Sequence, residues 1–172
     1  MSNDKNLIPM TTAVNDDVID LDLSVTRKKR FRFDKDNSRI VELNTSDMNI
    51  MARVSEAYPK LQALQDKASK IMDGLKTGDD VSEEESMADL KTMAERLTEV
   101  DREMRELIDF IFNADVSSAA APDGSMYDPF NGSFRFEYII TLLIQQYENN
   151  LQKEYSKMER EFKKHTNKYT KG

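Results

Sequence analysis

The sequence predicts an α+β, mostly helical protein: a small N-terminal antiparallel β-hairpin or meander followed by three to four helices, the last two long. Two observations lead there. Apolar residues alternate with polar ones through much of 18–44, the period of a half-buried strand, and beyond residue 47 they recur at three- and four-residue steps, the period of a helix. Of the 172 residues, 33% are charged and 38% are hydrophobic, a balance that suits long two-faced helices better than a thick globule. The length fits one domain, with room for an appendage.

Each element has its own signal. Residues 1–17 read as a flexible acidic lead-in. Ile19, Leu21, Leu23 and Val25 alternate with Asp20, Asp22 and Ser24, a third-strand candidate over 18–26. Phe31 and Phe33, the polar turn Asp34-Lys-Asp-Asn-Ser38, and Val41 and Leu43 then predict a hairpin over 28–44. A lone hairpin is marginal in water, so its apolar face needs a cover, for which the next helix is the expected element. Asn44-Thr-Ser-Asp47 offers helix-capping oxygens, and Met51, Val54, Tyr58, Leu61, Leu64, Ala68, Ile71 and Leu75 follow on one side. Pro59 lacks an amide and crowds the preceding turn, so this helix is expected to bend or to divide into 47–57 and 59–75. The hairpin and first helix together make a unit over 18–75.

An acidic connector and second helix occupy 76–113, the helix opening on a Ser82-Glu-Glu-Glu85 capping box. Met93, Leu97, Val100, Met104, Leu107 and Ile111 keep the four–three spacing of a seam that packs on another helix. Residues 114–133 carry Pro122, Asp123-Gly124, Pro129 and Asn131-Gly132 and read as a hinge loop, long for a structureless stretch inside a domain. The closing helix, 134–172, is apolar almost all round to Ile144. It then narrows to Tyr147, Leu151, Tyr155, Met158 and Phe162 before a basic tail, and it is expected to pair with the second helix.

Composition excludes several chemistries. With no Cys and one His, neither thiolate zinc sites, catalytic cysteines, disulfides nor multi-histidine metal sites can be built. His165 lies among lysines with no orienting carboxylate or nucleophile nearby in sequence. Glu83, Glu84 and Glu85 point about 100° apart on a helix and are better read as its acidic first turn than as a cation site. No glycine-rich loop leads to Lys-Ser or Lys-Thr, which removes phosphate-loop nucleotide hydrolysis. No enzyme activity, cofactor or metal is expected. The N-terminus has no signal-peptide core, and the longest apolar run, 138–144, is too short for a membrane span, so a cytoplasmic, membrane-free protein is expected.

Charge is banded. Residues 1–26 hold one Lys and five Asp, Arg27-Lys-Lys-Arg-Phe-Arg-Phe33 holds five cations, and 79–115 hold four basic against 13 acidic groups. Basic residues interleaved with aromatics can grip phosphates and stack bases. If Phe31 and Phe33 face the core, however, only the cations remain outside, and the net charge of −7 further disfavours nucleic acid. The seam of the second helix and the stripe from Tyr147 to Phe162 can serve either as core or as a partner groove. Ten methionines give the chain adaptable apolar surface, so these eleven positions are the candidate partner-binding residues, on one chain or in a homo-oligomer.

The stretches Arg30-FRFDKDNSRIVELNTSDMNIMARVSEAY-Pro59 and Phe134-RFEYIITLLIQQYENNLQKEYSKMEREFKKHTNKYTKG172 resemble tail assembly chaperones of long-tailed bacteriophages, over about half the chain. The likeness is one of texture: a basic strand, a polar turn, a capped helix and a final helix ending in Lys-Tyr-Thr-Lys. It implies a non-enzymatic factor in the cytoplasm of the infected host. Such a factor transiently binds a helical tape-measure protein or a tail-tube subunit and is absent from the finished virion. The alternative is a small nucleic-acid-associated regulator using the basic segments 27–33 and 163–171.

Overall fold

The computed structural model describes Leu21, residues 28–74 and residues 82–169, the last five of these by backbone alone. Apart from Leu21, which is exposed and outside any strand, the expected strand over 18–26 lies outside the described residues.

The first element is the hairpin that the alternation anticipates. Strands β1 (Lys29–Arg32) and β2 (Ile40–Leu43) pair antiparallel with Phe31 opposite Val41 and Lys29 opposite Leu43. Asp34 and Lys35 take left-handed backbone at the turn, and the Asp36 carboxylate accepts both the Ser38 N–H and its hydroxyl. Val41 and Leu43 are buried, Phe31 and Phe33 pack against the core, and Arg30 and Arg32 stay outside.

Helix α1 (Ile50–Asp73) starts three residues later than the capping oxygens suggest. Asp47 first closes a turn, its carboxylate accepting the Asn49 N–H at 2.9 Å, so Ile50 becomes the first inward residue and Met51 faces solvent. The buried face runs through Ile50, Ala57, Leu61, Leu64 and Ala68, with Val54 and Ile71 half-buried beside it. Contrary to the expected division, the helix continues through Pro59 as one element, because its inward face is held by packing on both sides of the proline.

Helix α2 (Glu83–Phe112) begins at the Ser82 cap, whose hydroxyl accepts the Glu85 N–H, and stops at Asn113, which takes left-handed backbone. It runs antiparallel to α1. Arg53 donates to the Ile111 carbonyl at 2.7 Å, and Lys67 reaches Glu103 at 4.0 Å. At 1.5 Å per residue the helices are roughly 36 and 45 Å long. The first turns of α2, residues 83–92, therefore extend past α1, and all of them are exposed.

Where a hinge loop was expected over 114–133, the chain forms helix α3 (Val116–Ala120) and a second hairpin, β3 (Pro129–Phe130) with β4 (Ser133–Phe134). Asn131 and Gly132, both with positive φ, make its turn. The segment is ordered by side chains distant in sequence. Arg105 pairs with Asp101 and donates to the carbonyls of Ser117, Ala121 and Gly124. Asp109 accepts the Ser117 N–H and hydroxyl, both at 2.8 Å, and Asp101 accepts the Met126 N–H. Val116, Ala121 and Met126 are buried beneath these bonds.

Helix α4 (Arg135–Tyr169) buries Phe136, Ile139, Ile140, Leu143 and Tyr147. The expected pairing of the two long helices is correct only at one end, where Phe112 and Tyr147 meet with ring centroids 6.0 Å apart; the main partner of α2 is α1. The first hairpin, for which α1 was the expected cover, is held instead against α3, which packs on β2, and by polar ties to α3 and α4. Arg39 donates to the Ala119 and Ala120 carbonyls, and Lys29 reaches Asn150 at 2.7 Å. Among the described residues, no helix is long and apolar enough to cross a membrane.

Candidate functional site

Folding divides the eleven candidate residues into two groups. Val100, Met104 and Ile111 are fully buried, and Leu97 and Leu107 pack against the same core. Met93 is half-buried. The seam of α2 is therefore spent on α1, because a four–three stripe of this length finds its complement in the antiparallel neighbour. Tyr147 is likewise buried against Phe112. Val100, Met104, Ile111 and Tyr147 are closed to a partner while the chain is folded, whereas Met93, Leu97 and Leu107 keep part of their surface open.

The remaining residues have a different setting. Asn150 is buried and anchors α4 to the first hairpin and the loop after it, accepting from Lys29 and donating to the Thr45 carbonyl and the Ser46 hydroxyl. Leu151 and Glu154 are half-buried, and every residue of α4 from Tyr155 to Lys164 is exposed. Tyr155, Met158 and Phe162 are 68%, 67% and 74% exposed. Their spacing continues the face that upstream buries Leu143 and Tyr147, so one apolar stripe passes from core to solvent along a single helix.

Behind the stripe, Lys153, Lys157, Arg160 and Lys164 recur at four–three–four spacing on the opposite face. Lys157 pairs with Glu154 at 2.8 Å and Lys164 with Glu161 at 2.7 Å. A residue-by-residue reading of the sequence finds the stripe but not where its cover ends. That boundary is set by Asn150, a polar residue that carries no periodic signal.

Three cations of the basic segment, Lys29, Arg30 and Arg32, have partners within the fold. Arg30 lies 3.5 Å from Glu42, Arg32 donates to Asn37, and Lys29 is held by Asn150. Phe31 and Phe33 pack against the core and are half-buried. The 163–171 tail is described only in part. His165 has no described side chain, and the exposed glutamates at 83–85 form the start of α2.

One cavity of about 300 Å³ lies where the first hairpin, the loop after α3 and the start of α4 meet, lined by Phe33, Arg39, Phe130, Arg135, Tyr138 and Leu142 among others. Both of its cations have charged neighbours, though Arg135 Nε is buried without a hydrogen-bond partner among the described residues. Arg39 pairs with Asp34, while Arg135 lies 3.5 Å from Asp128 and over the Phe130 ring. Among the described residues, no group of three or more His, Cys, Asp or Glu converges on a point where a metal ion could sit. The arrangement on α4 thus offers apolar contact along a helix.

Comparison with protein-family models, with curated proteins and with solved structures finds no match to the chain.

Proposed function

We propose that this protein is a non-enzymatic assembly factor that transiently binds a helical structural protein of a long-tailed phage, of tape-measure type, through the outer part of α4. The single observation that carries the reading is the stripe that starts at half-buried Leu151 and continues through the exposed Tyr155, Met158 and Phe162, beyond the anchor at Asn150. Covering a large apolar side chain contributes about 1.5–3 kcal/mol. A few such residues give affinity enough to hold a partner, while the cost of association keeps the complex exchangeable. The resemblance in texture to tail assembly chaperones supports the choice of partner class.

Co-expression with the tape-measure protein of the same phage tests the proposal. The two proteins should co-purify through a high-salt wash, and a Tyr155→Ser, Met158→Ser double variant should lose most of the partner while keeping its thermal transition. Retention of the partner by that variant, or failure of the wild-type chain to capture it, argues against the reading.

A further inference from the structure

We infer that the outer stripe of α4 selects a foreign helix whose apolar seam is flanked by Lys or Arg, and that it rejects a second copy of itself. This rests on the reading of α4 as a protein-binding surface and adds the chemistry of the partner. In a two-helix seam, Tyr155 and Phe162 take one core position and Leu151 and Met158 the other. The side chains bordering that seam are then Gln152 and Glu159 on one edge and Glu154 and Glu161 on the other. Of the cations of this segment, Lys153, Lys157, Arg160 and Lys164 lie on the far face, and Lys163 lies outside the seam, one turn beyond Glu159.

Self-pairing meets like charge in both directions. In a parallel pair, Glu154 of one copy faces Glu159 of the other. In an antiparallel pair with Tyr155 set against Met158, Glu154 faces Glu161. Border charges of this kind set partner choice in helical seams, and like charges exclude the wrong partner. Glu154 and Glu161 each bridge a lysine on their own helix, with both partners well exposed in each pair. Exposed pairs of that kind are weak and exchange readily for a cation offered across the seam.

Binding of the full-length chain to two synthetic helical peptides tests this. Both peptides carry the same leucine seam, one bordered by Lys and the other by Glu. The Lys-bordered peptide should bind about tenfold tighter or more at low salt, with the preference shrinking in 0.5 M NaCl. The E154K/E159K/E161K variant should reverse the preference, and Tyr155→Ser with Met158→Ser should abolish binding of both peptides. Equal binding of the two peptides, binding of neither, an unreversed preference, binding that survives loss of the stripe, or concentration-dependent self-association of the wild-type chain would each overturn the inference. Capture of the Lys-bordered peptide without capture of a phage protein would leave this inference standing and remove the phage assignment. Capture of the phage protein unaffected by the charge reversal would do the opposite.

Discussion

Arg105 shows how one side chain orders a segment that has no periodic signal of its own. Its guanidinium, paired with Asp101, closes three carbonyls of residues 117–124. Arg105→Met should remove the side-chain donor to those carbonyls and the cation paired with Asp101, and cost about 2–4 kcal/mol, read as a lower urea midpoint; an unchanged midpoint would contradict this role. Asp47 gives a pH dependence. Burial alone would raise its carboxyl, but hydrogen bonds from Arg53 and from the Asn49 N–H outweigh that and hold it below the ordinary carboxylate value. A carboxyl depressed by folding adds stability above its unfolded pKa, near about 3.9, and loses it as pH falls through the folded value. Stability should therefore drop below about pH 4, and Asp47→Asn should flatten that drop. Equal acid slopes for the two proteins would show that Asp47 is not responsible.

At the scale of elements, α1 is the informative case. Pro59 sits in its exposed interior without an amide to donate, yet the helix persists because Ala57, Leu61 and Leu64 are buried around it. Pro59→Ala should therefore stabilise the fold by about 1–3 kcal/mol, measured as a raised thermal midpoint. A lowered midpoint would mean that the proline serves a local geometry instead. The hairpin was legible because Asp, Asn and Ser fix a turn locally, and the end of α2 because Asn113 tolerates left-handed backbone. The start of α1 was misplaced by three residues because Asp47 spends its carboxylate on a turn before the helix. The order in 114–133 was invisible because it depends on Arg39, Asp101, Arg105 and Asp109, whose partners are chosen by the tertiary structure. The stripe on α4 was legible as a stripe, but its division into buried and exposed halves was not, since Asn150 gives no hint of the anchor it makes.

Among the described residues, a packed centre carries two helical extensions, the first turns of α2 and the outer turns of α4. Only the second combines large exposed aromatic side chains with continuity to the core face, and the functional account rests on it. Stability and binding should therefore separate. Changes at Tyr155 and Met158 should leave the unfolding transition within about 0.5 kcal/mol of wild type, as is usual for surface positions, while removing the partner. The most direct measurement is amide hydrogen exchange along α4, alone and in complex with the co-expressed tape-measure protein. The account predicts that amides of 155–164 exchange faster than those of 136–150 in the free chain and become protected in the complex. Protection confined to another surface, with 155–164 unchanged, would contradict it.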